Sequence, residues 1–141
     1  MSLGKLFLSF NGRTGRRAYW AGLAVVLTVA ILMRFFPGGR YLSLVLLWPY
    51  YCVIIKRLHD FGWSGGVIWI ANIAFSAINF AVKYLVAGLD ETTLGLAQLA
   101  PTLLYFGFLF YVGVRSADKG RNEFGSPPGT RTDLETPKVF A

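Results

Sequence analysis

The chain alternates between long apolar stretches and short segments that hold most of its charges. Four stretches of 15 to 21 residues carry almost no charge, at 18–33, 41–55, 67–87 and 94–114. Because about 20 apolar residues cross the hydrocarbon core of a bilayer, they predict spans at about 18–36, 38–55, 67–87 and 94–114. The pattern predicts an all-α integral membrane protein with four transmembrane helices.

The second apolar stretch is the shortest and contains a proline. Fifteen helical residues rise only about 22 Å against a hydrocarbon core of about 30 Å, so residues 37–41 must contribute or the bilayer must thin. Pro49 lacks a backbone donor and is expected to kink the helix near Val45. A re-entrant hairpin is the alternative to a complete crossing.

The N-terminal segment has its own helical pattern. Leu3, Leu6, Phe7 and Phe10 recur at spacings of three and four residues, which predicts a short amphipathic helix in the interfacial region. Thr14 follows a turn and is expected to cap the first span.

The charges predict an orientation for the four spans. The N-terminal segment, the 56–66 loop and the tail after residue 114 hold eleven of the fourteen Lys and Arg. Since short cytoplasmic loops collect basic residues, both termini and the middle loop are expected in the cytoplasm, with residues 35–40 and 89–93 outside. We expect one transmembrane domain at 1–126 and a flexible cytoplasmic tail at 127–141.

The net charge of +7 would suggest nucleic acid in a soluble protein. Here the basic residues flank apolar helices, where they fix topology and meet anionic lipid, so no nucleic-acid partner is expected. The single cysteine, Cys52, can form no intramolecular disulfide. Without a phosphate-binding loop, a dinucleotide fingerprint or a paired-cysteine motif, no cofactor is predicted.

Polar residues recur at helical spacing in the third and fourth stretches. They are Asn72, Ser76, Asn79 and Lys83 in the third stretch, and Gln98, Thr102 and Tyr105 in the fourth. Residues three and four apart share a helix face, so we expect two polar faces turned toward each other and joined by hydrogen bonds. A polar pathway for an ion or small solute is the alternative. Lys83 is expected to reach Asp90 or Glu91.

The 56–66 loop contains the densest set of reactive side chains. His59 and Asp60 resemble an acid and base pair, and Gly62, Ser64 and Gly66 have the spacing of a nucleophile elbow. That elbow needs a preceding strand and a later His, and the chain offers neither. With one His and no carboxylate cluster, we predict no catalytic residue and no metal site.

Three segments of the chain carry dense motifs. Residues 10–20 read FNGRTGRRAYW, residues 57–65 read RLHDFGWSG and residues 120–127 read GRNEFGSP. In this order they resemble a family of small bacterial inner-membrane proteins, domain of unknown function 805. The resemblance implies a compact helical domain and a multi-pass location in the bacterial inner membrane. It implies no activity.

All three motifs fall on the predicted cytoplasmic side. We expect their polar members to form one ligand- or partner-binding cluster, composed of Arg13, Arg16, Arg17, Arg57, His59, Asp60, Ser64 and Asn122. Because arginines outnumber the carboxylate of Asp60, the surplus, Arg57 included, is expected to attract phosphate or carboxylate.

Three functions fit these features. The leading hypothesis is a non-enzymatic assembly, anchoring or regulatory module that acts through its cytoplasmic face. Its expected partners are anionic membrane lipids and either a membrane protein or a second copy of the chain. The alternatives are a transporter or channel subunit that uses the polar face of the third and fourth helices, and an enzyme acting on a lipid head group.

Overall fold

The computed structural model describes residues 3–88 and 90–128, and its regular secondary structure is helical. The helices are α1 (Leu3–Leu8), α2 (Arg16–Met33), α3 (Gly39–Leu42), a 3₁₀ segment (Ser43–Leu46), α4 (Leu47–His59), α5 (Gly66–Leu85) and α6 (Glu91–Val114). These residues form no β-strand, and an isolated bridge joins Asn122 to Gly125. The predicted all-α class is confirmed for this part of the chain. Most of the predicted flexible tail lies outside it.

Three helices are long and apolar enough to cross a membrane, namely α2, α5 and α6. They coincide with the first, third and fourth predicted spans. Their outer faces expose large apolar side chains such as Ile31, Ile73 and Leu104. Lipid, unlike water, can cover such side chains without a hydrophobic cost, so the three helices suggest a membrane protein. Four spans and their orientation stay predictions.

The second predicted span is a broken helix that lies beside α2. Its 3₁₀ segment contains Val45 and precedes Pro49 by a few residues, so the predicted interruption is confirmed. Near one end Val53 packs on Gly22, and further along Ser43 and Ala30 line a shared cavity. Residues 39–59 therefore run antiparallel to α2 without turning back, and they rise about 33 Å. This course gives no support to a re-entrant hairpin.

The predicted N-terminal helix forms and docks on α4. Leu6 is buried, and the Lys56 ammonium donates hydrogen bonds to the carbonyls of Lys5 and Leu6. Trp48 Nε1 donates to the Leu8 carbonyl at 3.4 Å. Carbonyls in the last turn of a helix have no partner within it, so these donors satisfy groups that α1 leaves open. Packing on α4 stabilises a helix too short to form alone.

The helices converge at the end that carries the middle loop. The Tyr19 hydroxyl donates to the Leu109 carbonyl at 2.9 Å, which joins α2 to α6. At Gly113 a Cβ atom would lie 2.3 Å from the Trp20 ring, so only glycine allows this approach. The buried core, including Ile54 and Val112, lies at this end and supports the segments that follow each helix.

Thr14 does not cap α2, contrary to the prediction. The cap position is Gly15, with no side-chain hydrogen bond, and the buried Thr14 hydroxyl has no partner among the described residues. The Thr14 backbone is paired instead with α4: its N–H donates to the Lys56 carbonyl at 3.1 Å and its carbonyl accepts from Arg57. This pairing displaces Thr14 from the cap position.

Candidate functional site

Asp60 lies one residue beyond α4 and is held by two arginines. Its Oδ1 accepts from Arg13 Nε at 3.1 Å, and its Oδ2 accepts from Arg57 Nη1. The three side chains are at most 1% exposed. Burial raises the pKa of the Asp60 carboxyl, while the hydrogen bond from Arg13 and the charge of Arg57 lower it. Such a buried cluster is stable only when its remaining donors are also satisfied.

Arg13 uses the rest of its guanidinium to hold the chain that follows α6. Nη1 donates to the carbonyls of Gly120 at 2.7 Å and Gly125 at 3.3 Å. Nη2 donates to the carbonyls of Asp60 at 2.9 Å and Asp118 at 2.7 Å. One side chain therefore joins the segment before α2 to the end of α4 and to the C-terminal segment.

Arg57 closes the C-terminal end of α6. Nε donates to the Val112 carbonyl at 3.0 Å, and Nη2 donates to the carbonyls of Gly113 at 3.4 Å and Arg115. These are among the carbonyls that the last turn of a helix leaves unpaired. Arg57 is fully buried, so the expectation that it attracts an anion is corrected. Its positive charge is used inside the protein.

His59 is held by one contact at an edge of its ring and by another on a face of the ring. Its Nδ1 lies 3.2 Å from the Gly12 carbonyl, which requires the proton on Nδ1, and the ring stacks parallel on Phe124 at 3.8 Å. Burial lowers the pKa of His59 below its ordinary 6.5, against the opposing effects of the Gly12 hydrogen bond and the Glu123 charge. Burial therefore favours the neutral form of the imidazole.

Asn122 completes the contact between the middle loop and the C-terminal segment. Its Nδ2 donates to the His59 carbonyl at 2.8 Å, and its Oδ1 accepts from the Phe124 N–H at 3.0 Å. The backbone pair with Gly125 closes a tight turn that presents Phe124 to His59. We call Arg13, Arg57, His59, Asp60 and Asn122 the basal network.

Gly62 determines how the chain leaves α4, directly after the members of the basal network that α4 and Asp60 provide. Its φ of 76° is the left-handed conformation that favours glycine, and the Trp63 N–H donates to the Leu58 carbonyl at 3.0 Å. This is the Schellman arrangement that ends many helices. The glycine thus ends α4 and turns the chain toward α5.

Three residues of the predicted cluster lie outside the basal network. Arg16 is exposed and donates to the Ser116 hydroxyl at 3.1 Å. Arg17 is exposed and forms no ion pair with the residues that the structure describes. Ser64 is exposed, and its hydroxyl accepts from the Gly66 N–H at 3.2 Å within a local turn. The structure therefore separates a buried group from an exposed one.

The predicted polar faces of α5 and α6 meet at one point. The Tyr105 hydroxyl donates to Asn72 Oδ1 at 2.9 Å and lies 3.0 Å from the Tyr50 hydroxyl. Because Tyr105 gives its proton to Asn72, Tyr50 must donate to Tyr105. Asn72 Nδ2 in turn donates to the Ile68 carbonyl at 2.8 Å. We call Tyr50, Tyr105 and Asn72 the hydroxyl chain, and it joins α4, α5 and α6.

The other polar residues of these two helices do not extend the hydroxyl chain. Asn79 and Thr102 donate to carbonyls of their own helices, those of Phe75 and Gln98. Ser76 and Lys83 are exposed.

Asp90 does not pair with Lys83, contrary to the prediction. It caps α6 instead, accepting from the Thr93 N–H at 3.0 Å and from the Thr93 hydroxyl at 2.7 Å. The cap satisfies the Asp90 carboxylate locally. Among the residues that the structure describes, Glu91, the other predicted partner, forms no ion pair with Lys83 either.

Several contributors were not anticipated from the sequence. Lys56 satisfies the end of α1, Asp118 accepts from Arg13 and donates its N–H to the Asp60 carbonyl at 2.9 Å, and Phe124 stacks on His59. The sequence does contain a sign of the role of Lys56, because this residue directly follows the apolar stretch 41–55. Phe124 lies inside the third motif, and Asp118 has no comparable signal.

The basal network is arranged to hold polypeptide segments together. Both Asp60 oxygens and every donor nitrogen of Arg13 and Arg57 contact protein groups, so these residues offer little to an external ligand. The structure's described residues contain no group of three His, Cys, Asp or Glu that could hold a metal ion.

The comparisons with known proteins agree with the motifs. Two curated proteins, each described as Uncharacterized protein YiiR, from Escherichia coli strain K12 and from Escherichia coli O157:H7, are 27% identical over 135 residues. The match covers 89% of this chain and 89% of theirs. No solved structure gives a significant match.

A family model matches residues 33–126. The matched range contains the second motif and most of the third, and it begins after the first. Since it covers most of the chain, the chain belongs to the family described as Protein of unknown function (DUF805).

Proposed function

We propose that the chain is a four-span bacterial inner-membrane protein with both termini in the cytoplasm, acting as a non-enzymatic assembly, anchoring or regulatory module. The observation that carries the proposal is that, at one end of the molecule, some polar side chains are held inside the protein and others are exposed. Side chains capable of chemistry, His59 and Asp60, are held by internal contacts. Basic side chains around them remain exposed.

The proposed topology rests on the course of residues 39–59. This segment follows α2 in the antiparallel direction and has the length of a span, although its middle is not regular α-helix. Together with α2, α5 and α6 it gives an even number of crossings, which returns the chain to the side where it began. The excess of Lys and Arg assigns that side to the cytoplasm.

The exposed surface around the basal network is basic. It carries Arg16, Arg17, Lys119 and Arg121, against the exposed acidic residues Asp118 and Glu123. A surface of this kind attracts anionic lipid and acidic protein segments. The proposed partner is therefore another membrane protein, or a second copy of this chain, that presents an acidic segment at the cytoplasmic surface.

No specific observation supports either of the two alternative functions. The hydroxyl chain ends at a backbone carbonyl of α5, and Ser76 and Lys83 do not continue it, so a polar pathway has no second half among the described residues. A lipid head-group enzyme would need Asp60 free as a base, whereas both of its carboxylate oxygens accept from arginine.

A pull-down from native membranes in mild detergent tests this function. We expect a membrane protein, or a tagged second copy, to copurify with the wild-type chain and to be lost from Arg121→Glu. Arg34→Glu is the matched control, because Arg34 is an exposed arginine at the opposite end of α2. No copurifying protein, or equal loss from both variants while each remains folded, would contradict the proposal.

A further inference from the structure

A groove opens between α2 and α6 just beyond the point where they touch. It has a volume of about 580 Å³ and is lined on α2 by Trp20, Leu23 and Leu27 and on α6 chiefly by Leu103, Phe106 and Phe110. Volumes of 300–1,000 Å³ are typical of small-molecule sites. Phe106 and Phe110 are more than half exposed, so the groove opens toward the surroundings of the helices.

The position of the groove corresponds to one leaflet of a bilayer. Trp20 and Leu27 are seven positions apart, as are Leu103 and Phe110, so each wall is about 10 Å long. Half of the hydrocarbon core is about 15 Å. The groove begins one helical turn beyond Arg16 and Arg17, which places it in the leaflet at the basic end of the molecule.

The mouth of the groove is positively charged. Arg16 and Arg17 are exposed and lie four and three residues before Trp20, on the turn below it. Neither forms an ion pair with the residues that the structure describes, and the buried carboxylate of Asp60 is already taken by two other arginines. The contact from Arg16 to Ser116 places one guanidinium between the ends of α2 and α6.

We infer that this groove binds one anionic phospholipid, with its phosphate on Arg16 and Arg17 and an acyl chain between α2 and α6. Guanidinium groups suit the phosphate, and the aromatic and aliphatic walls suit the chain. An acidic protein segment fits less well, because it would place peptide groups against walls that offer them few partners. The inference goes beyond the proposed partner-binding role, and it rests on the proposed placement of the basic end at a membrane surface.

Native mass spectrometry of the purified full-length chain tests the head-group part. We expect one phosphatidylglycerol to be retained in preference to a phosphatidylcholine with the same acyl chains. Each surface arginine contributes about a fivefold change in binding, so Arg16→Gln with Arg17→Gln should reduce retention about twenty-five-fold. The matched control, Arg34→Gln with Lys83→Gln, removes the same charge from exposed positions at the opposite ends of α2 and α5 and should change retention less than twofold. Equal loss from both pairs would show diffuse attraction and overturn the site.

Crosslinking tests the groove without any variant. A phosphatidylglycerol with a photoactivatable acyl chain, in vesicles containing the wild-type protein, should label residues 20–27 and 103–110. Leu27→Trp, which fills the groove, should abolish that labelling while the arginines remain. Labelling spread evenly over α5 and the other outer faces would overturn the inference. Either result leaves the proposed protein partner untouched, since that proposal is measured by copurification.

Discussion

Charged residues that are close together in the sequence near the basal network differ greatly in burial. Arg13 and Arg16 are three positions apart in the sequence, yet Arg13 is 5% exposed and Arg16 is exposed to the surroundings. The difference arises because Arg13 meets a carboxylate and four backbone carbonyls, whereas Arg16 meets one hydroxyl. At this scale, a buried arginine belongs to the fold and an exposed one is available to a partner.

Asp60→Asn should strongly destabilise the fold. The change leaves Arg13 and Arg57 buried without their counter-charge, and breaking a buried ion pair by removing one partner costs about 3–5 kcal/mol. The free energy of unfolding in detergent measures the effect. Ser64→Ala, an exposed position in the same loop, should change it by less than about 0.5 kcal/mol. An Asp60→Asn protein as stable as the wild type would contradict the structural role of the network.

Acidification should weaken the contact at His59. The unfolded imidazole takes up a proton near its ordinary pKa of 6.5, while burial lowers the folded pKa. Below pH 6.5 the unfolded state therefore binds more protons, so stability is present above that pH and is lost as pH falls. Thermal unfolding between pH 8 and pH 5 measures the slope. His59→Gln, which keeps a donor for Gly12, should reduce it, and an unchanged slope would assign the effect to another group.

The α2 and α6 helices are joined by specific contacts at one end and diverge beyond it. The Tyr19 hydrogen bond and the close approach at Gly113 fix the joined end, which lies next to the basal network. Beyond Trp20 the same pair separates and leaves the groove of about 580 Å³. The α5 helix joins the others chiefly through α6 and the hydroxyl chain.

Gly113→Ala should destabilise the α2 and α6 contact. The added methyl group would collide with the Trp20 ring, and overpacking of this kind costs about 1–3 kcal/mol. Unfolding in detergent measures the loss. Gly95→Ala is the control on the same helix, since nothing lies within 4 Å of its Cβ position and alanine favours helix. Equal stability of the two variants would show that α2 and α6 do not approach closely.

Removing the hydroxyl chain should have a small effect. Tyr105→Phe breaks the bonds to both Tyr50 and Asn72, and hydrogen bonds between membrane helices contribute about 0.6 kcal/mol each. Tyr50→Phe breaks only one bond and should cost about half as much. Tyr84→Phe, at an exposed position, is the control. Loss of a solute flux without loss of stability would instead favour a transport pathway.

At the scale of the whole molecule, hydropathy predicts more than side-chain chemistry does. Three of the four predicted spans appear as single helices, because length and apolar composition decide whether a segment can cross a membrane. The second predicted span is irregular, and this was anticipated from Pro49, which has no backbone N–H to donate to a helical hydrogen bond.

The burial of individual polar residues could not be predicted in the same way. Arg13 is buried by carbonyls about 107 positions away, and no local pattern reports such a contact. The cluster of Arg13, Arg57, His59, Asp60 and Asn122 was anticipated because its members share one predicted side of the membrane. Which arginines become buried in this cluster depends on the ends of α4 and α6, and these ends become neighbours only after folding.

The proposed orientation places the basal network, and the exposed arginines around it, on the cytoplasmic side of the membrane. Cysteine labelling with a membrane-impermeant reagent tests it most directly, in a Cys52→Ala background because Cys52 is the single cysteine. Ser64→Cys and Thr92→Cys form a matched pair, since both residues are small, polar and exposed. We expect Thr92→Cys to react in intact cells and Ser64→Cys to react only after the inner membrane is opened. Labelling of Ser64→Cys from outside the intact membrane would contradict it.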